Sequence, residues 1–217
     1  MKISQSFLLN CFENLLQYSN SEGFLHDKKY RHQYHLAAIV LCIAHKTGNK
    51  KILAQDQTIF VNCLEAIEKS FKEKGGSINA DFSFESLCLA HFYSKNSYLK
   101  ETLSAFILSN QNILKSEINA HAVDYYLLRN FNINYINKEF TSNLTIPESV
   151  KLVIERLHES SGILFDTLNK TSGVPDLTYH CRNLQILANS LRINNEIALL
   201  PLLKKAVSFT KNISGVE

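Results

Sequence analysis

Apolar residues along the chain follow helical spacing in segments of two kinds. In the first kind they recur at i, i+3, i+4 and i+7, which indicates a helix packed on one side; an example is Leu8, Cys11, Phe12 and Leu15. In the second kind they surround the helix, as in the run 36–44 (Leu-Ala-Ala-Ile-Val-Leu-Cys-Ile-Ala), which predicts a helix enclosed by other helices. The two kinds alternate, and this predicts an all-α fold of inner and outer helices.

The alternation predicts about nine helices, an outer one at about 3–18 followed by four inner and outer pairs. Inner helices are expected at about 31–46, 83–95, 119–131 and 178–192, and outer helices at about 50–73, 97–114, 147–169 and 194–213. The asparagine-rich stretch 132–146 is the longest predicted connection, and we expect it to be a mobile loop.

A short segment repeats within the chain. Residues 41–45 (Leu-Cys-Ile-Ala-His) recur as 87–91 (Leu-Cys-Leu-Ala-His), 46 positions later. A period of this length suits a pair of helices stacked on copies of itself. We therefore expect a single domain of helical hairpins that covers residues 1–217.

Composition narrows the class of protein. The chain has 217 residues, 45% of them hydrophobic, with only 7 glycines and 3 prolines, which favours helices. Its net charge of +3 is scattered without a basic run, so we expect no nucleic-acid partner. The longest apolar run is about half of what a membrane span requires, and we expect no membrane helix.

Cysteine usage and motifs narrow the class further. The five cysteines show no C-x-x-C spacing and the N-terminal segment is a poor signal peptide, so we expect reduced thiols and a cytoplasmic location. There is neither a zinc-ligand spacing nor a glycine-rich phosphate loop. We therefore expect no metal site and no cofactor.

A tyrosine-histidine pair occurs in the first turns of two predicted inner helices, as Tyr34-His35 and as Tyr179-His180. Arg182 and Asn183 follow the second pair within one helical turn. Tyrosine and histidine suit acid and base roles, and arginine suits a carboxylate ligand. If the inner helices run parallel, further polar residues should reach the same mouth: Asp27, Arg31, His121, Asp124 and Asp176.

The same residues also suit a structural role, and the sequence leaves both roles open. Glycine followed by aspartate in each connection, as in Gly23 and Asp27, can end one helix and cap the next. Tyrosine and histidine at helix starts can bond to neighbouring carbonyl groups and fasten one hairpin to the next.

The chain resembles the α/α-toroid scaffold of heparinase-type and alginate-lyase-type polysaccharide lyases and related glycosidases. The resemblance lies in the alternating inner and outer helices, the Gly-x-x-x-Asp loops and the Tyr-His pairs at helix starts. The segment Asp176-Leu-Thr-Tyr-His180 is the nearest local match. The resemblance implies that Tyr179 and His180, faced by Tyr34 and His35, are catalytic in β-elimination. It also implies that Arg182 or Asn183 neutralises a uronate carboxylate, so the expected ligand is a saccharide, and an acidic one would suit these residues.

Two features depart from that family. About four and a half hairpins are predicted, fewer than the six of a large toroid. We also expect no export signal from the N-terminal segment, although an enzyme for external polysaccharide would need one. A glycosidase would need two carboxylates across a cleft, for which the sequence offers Asp27, Asp81, Glu85, Asp124 and Asp176. The alternative is a non-catalytic HEAT-like repeat protein that binds a protein partner or a second copy of itself.

Overall fold

A computed structural model describes residues 33–74, 79–120, 122–159 and 177–214. These residues form helices and no strand, which confirms the all-α class. The helix predicted at 3–18 lies outside them. The eight described α-helices are α1 (Gln33–Thr47), α2 (Ala54–Lys74), α3 (Asn79–Tyr93), α4 (Ser97–Asn110), α5 (Val123–Phe140), α6 (Glu148–Glu159), α7 (Leu177–Asn189) and α8 (Leu200–Ser214).

The chain divides into two compact units, Met1–Ile113 and Leu114–Glu217. The first contains α1 to α4 and the second contains α5 to α8. A single domain over 1–217 and a toroid arrangement both stay predictions. None of the described helices has the length and apolar character needed to cross a bilayer.

In the first unit, α1 and α3 pack closely against each other. Both have 15 residues, and each end of α3 lies 46 positions after the matching end of α1. None of the residues 36–44 is exposed, as the apolar run predicts for an inner helix. The second helices of the two hairpins differ, with 21 residues in α2 and 14 in α4, so the repeat itself stays a prediction.

Side-chain contacts join the hairpins of the first unit. The rings of Phe71 on α2 and Phe84 on α3 stack with centroids 5.5 Å apart. Asn96 caps α4, because its Oδ1 accepts the Leu99 N–H at 3.1 Å. Its Nδ2 donates to the Lys50 carbonyl at 2.8 Å, which ties the start of α4 to the segment before α2.

In the second unit, α5 is the most buried helix and packs against α6 and α7. It continues to Phe140, so the mobile loop predicted from residue 132 is wrong over its first nine residues. Asparagine has a low helix propensity, but burial of Asn132 and packing of its neighbours override that preference. Asn137 closes the following turn, since it accepts the Leu144 N–H and donates to the Leu144 carbonyl, each at 2.8 Å.

The predicted alternation of inner and outer helices holds only in part. The predicted inner helices α1, α3 and α5 are largely buried, and α6 and α8 are one-sided as outer helices should be. The last predicted inner helix, α7, is instead one-sided. Its exposed residues are Thr178, Tyr179, Cys181, Gln185 and Ala188.

Candidate functional site

The predicted site residues are divided between the two units. Tyr34 and His35 lie in the first unit, and Asp124, Tyr179, His180, Arg182 and Asn183 lie in the second. Four others are outside the described residues, namely Asp27, Arg31, His121 and Asp176. Convergence of the two Tyr-His pairs on one mouth therefore stays a prediction.

The first pair begins α1. Tyr34 and His35 are half-buried, with ring centroids 4.1 Å apart. Tyr34 also lies against Phe82 of α3, with a centroid distance of 6.2 Å. Asp81 and Glu85, which the sequence offered as carboxylates, are both buried in α3. The aromatic pair thus contributes to the packing between α1 and α3.

His180 in the second pair is completely buried between α7 and α8. Its Nε2 lies 2.9 Å from the Thr210 Oγ1 and 3.3 Å from the Ala206 carbonyl oxygen. Because the Thr210 hydroxyl itself donates to that carbonyl at 2.9 Å, it is left to accept the Nε2 proton. The imidazole edge also meets the ring of Phe209, with centroids 5.3 Å apart.

Burial sets the charge of His180. It lowers the pKa of the imidazole, and the hydrogen bond to the Ala206 carbonyl opposes this only in part. The neutral ring, with its proton on Nε2, suits the contacts to α8. This geometry favours the structural alternative that the sequence left open, in which His180 fastens one helix to the next.

The neighbours of His180 on α7 point in different directions. Tyr179 is 38% exposed although the adjacent His180 has no exposed surface. Arg182 donates to the side chain of Gln185 at 3.2 Å on the outer part of the helix. Asn183 is completely buried, and its amide makes no hydrogen bond with any described residue. The structure therefore does not present Tyr179 and His180 on one accessible surface.

Asp124 lies in the first turn of α5 and is buried. Its Oδ1 accepts the Tyr125 N–H at 2.9 Å. A carboxylate in the first turn stabilises a helix through the positive end of its dipole. This placement explains Asp124 without a ligand.

A polar cluster that the sequence analysis missed surrounds Glu196. Its carboxylate accepts the Asn130 Nδ2 at 2.6 Å and the Asn194 Nδ2 at 2.9 Å. Burial raises the pKa of Glu196, against the effect of hydrogen bonds from Asn194, Asn130 and Asn134. The cluster ties α5 to the segment after α7, where a π-helical turn, Ser190–Asn194, precedes Asn195 in the left-handed conformation.

A third polar feature is an open cleft of about 470 Å³ beside the start of α6. The carboxylate of Glu117 accepts the backbone N–H groups of Glu148 and Ser149 and also the Ser149 hydroxyl. These hydrogen bonds lower the pKa of Glu117, those from Ser149 most. Glu117 thus caps α6 from a distant part of the chain. The cleft is lined by Lys115, Glu117, Asn143, Thr145, Ile146, Pro147, Glu148 and Lys151.

The described residues include no group of histidine, cysteine, aspartate and glutamate side chains arranged to hold a metal ion. The chain matches no known protein family, no curated protein and no solved structure. Its function has therefore to be inferred from the contacts of its own side chains.

Proposed function

We propose that this chain is a non-catalytic helical interaction protein that binds a protein partner through its exposed helix faces. The observation that carries the proposal is the burial of His180 against Ala206, Phe209 and Thr210 of α8. A general acid or base must reach the proton that it transfers. A histidine without exposed surface, whose Nε2 is bonded to the next helix, stabilises packing instead.

Other polar groups of the second unit support the same proposal, because they too are used between elements of the fold. Glu196 joins α5 to the segment after α7, Glu117 caps α6, and Asp124 begins α5. Because these polar groups are already used within the fold, they form no accessible acid-base pair. The exposed helix faces of the scaffold remain as surfaces for binding.

Saccharide binding is the second candidate, and the cleft beside α6 is the observation that favours it. Carboxylate, amide, hydroxyl and ammonium groups line the cleft, and all of them can bond to sugar hydroxyls. A volume of about 470 Å³ is within the range of small-ligand sites. This site would use different residues from those that the resemblance to lyases implies.

Two arrays can separate these candidates. The full chain is applied to short peptides of acidic, basic and apolar composition, and in parallel to neutral and uronic-acid oligosaccharides. We expect saturable binding to peptides, and uronic-acid oligosaccharides that keep their length after incubation with the protein.

Formation of unsaturated uronate products by the unchanged protein would contradict the proposal, provided that Tyr179→Phe or Arg182→Ala abolished their formation. Cys181→Ala, at an exposed position on the same helix, is the matched control. The second candidate would be supported instead if the protein bound a saccharide without cleaving it and the Lys115→Ala variant lost that binding.

A further inference from the structure

Positive charge is concentrated near the C-terminal end of the described chain. Residues 177–214 contain five basic residues and one acidic residue, a net charge of +4 against +3 for the whole chain. The single acidic residue, Glu196, is half-buried and is held by asparagine side chains. The basic residues are Arg182, Arg192, Lys204, Lys205 and Lys211.

On α8 this charge forms a pattern with apolar side chains. Leu200, Lys204, Val207 and Lys211 are all exposed and are spaced by four, three and four residues, which places them on one helix face. We call these four residues the α8 stripe. Its two apolar members are seven residues apart, and so are its two lysines. The helix itself contains no acidic residue.

The opposite face of α8 holds the helix in place. Leu202 and Ala206 are completely buried, and Thr210 bonds to His180 of α7. Lys205, beside the stripe, donates to the His158 carbonyl at 2.6 Å. The stripe is therefore presented by a helix whose rotation about its own axis is set by packing.

We infer that the α8 stripe docks an acidic amphipathic helix of another protein. This rests on the proposed function and names its partner class. A helix that repeats an apolar and an acidic residue every seven positions would match the stripe over its length of about 16 Å. Apolar contact would come from Leu200 and Val207, and charge complementarity from Lys204 and Lys211.

Three other occupants fit the stripe less well. A membrane surface binds helices by a continuous apolar face, but that face of α8 is buried and only Leu200 and Val207 point outward. Nucleic acid would gain nothing from those two apolar side chains. A second copy of the chain would place lysine against lysine if the two stripes met in parallel, and lysine against an apolar side chain if they met antiparallel, so neither arrangement is complementary in charge.

The test uses a labelled peptide with leucine and glutamate each repeated every seven residues on an alanine and glutamine background. Binding to the full chain is followed by fluorescence anisotropy. The double variant Lys204→Glu with Lys211→Glu should weaken binding by more than about tenfold, because attraction becomes repulsion at both positions. Lys50→Glu with Lys51→Glu is the matched control, which changes net charge equally at exposed positions, and it should stay within about twofold.

A second variant separates apolar recognition from charge alone. Leu200→Gln with Val207→Gln should also weaken binding of this peptide, whereas a scrambled peptide of equal charge should bind weakly to all variants. Equal binding of both peptides would overturn the inference. The inference would also be overturned if anionic vesicles or RNA bound through Lys204 and Lys211 while the designed peptide did not bind.

The failures of the two proposals are distinguishable. If peptide binding survives both double variants, the α8 stripe is not the docking surface, although the chain remains a peptide-binding protein. If no peptide binds and uronic-acid oligosaccharides are cleaved, the proposed function itself fails.

Discussion

Replacement of His180 by Ala should lower the free energy of unfolding of the second unit by about 3 kcal/mol. Loss of a buried hydrogen bond to the Thr210 hydroxyl costs about 1 kcal/mol. The edge contact with the Phe209 ring is worth about 0.5–1.5 kcal/mol beyond its buried area. Removal of a fully buried ring also leaves a cavity, and comparable large-to-small changes cost about 2–5 kcal/mol, a range that includes the expected 3 kcal/mol.

The same side chain should make stability depend on pH. Burial lowers the pKa of His180 in the folded protein, so below about pH 6.5 the unfolded chain binds more protons than the folded one. The contribution of neutral His180 to the free energy of unfolding is complete above about pH 6.5, the pKa of histidine in the unfolded chain. It is lost as pH falls through the lower pKa that His180 has in the folded protein. His180→Phe keeps a ring and should remove this loss. His45 in the first unit also has a lowered pKa, owing to burial, and His45→Gln reports its share.

The assay is urea unfolding of the full chain at pH 7.5 and pH 5.5, with hydrogen exchange of α7 and α8 amides to assign the loss to the second unit. Tyr179→Ala is the control, because it removes an aromatic ring from a 38% exposed position on the same helix. A loss of less than about 0.5 kcal/mol for His180→Ala would refute the structural role, since surface substitutions have effects of that size. Loss of a saccharide-cleaving activity at unchanged stability would instead assign a catalytic role.

Variants at three further positions test other contacts. Glu196→Ala should cost about 1–3 kcal/mol, because the asparagine amides lose their acceptor. Burial raises the pKa of Glu196, so its contribution to stability falls as pH rises through the raised folded value, and Glu196→Gln should remove this pH dependence in urea unfolding. The glutamine amide can accept a hydrogen bond from only one of the two asparagines, so the variant should also lose one of the two bonds that the carboxylate makes. Glu117→Ala should speed hydrogen exchange at the Ser149 amide, because that N–H loses its acceptor. Asn137→Ala should cost about 1 kcal/mol and speed exchange at Leu144.

The sequence was most informative where the hydrophobic pattern is strong. The all-round apolar run 36–44 predicted a helix at 31–46, and the structure has Gln33–Thr47. The prediction failed at 132–140, where asparagine-rich sequence indicated a loop. Local propensity disfavours a helix there, and only the burial of Asn132 and its neighbours in the folded protein reverses that preference. That packing is not visible in the local sequence.

The roles of the candidate site residues stay predictions, because the local sequence does not set which way each side chain faces. Residue type and helical position suggested Tyr179 and His180 as an acid-base pair, and adjacent residues differ by about 100° around a helix axis. Which of the two faces inward depends on α8, about 20–30 residues further along the chain, whose side chains meet His180. The Glu196 cluster was missed for the same reason, since Asn130 and Asn194 are 64 positions apart in sequence.

The most direct test of the interaction proposal is a chemical-shift map of the isotope-labelled full chain titrated with the heptad peptide of leucine and glutamate. We expect saturable shifts of the backbone amides around Leu200, Lys204, Val207 and Lys211, with little change around Tyr179 and Arg182. No shift with the peptide, together with saturable shifts around Tyr179 and Arg182 on addition of a uronic-acid oligosaccharide, would contradict it.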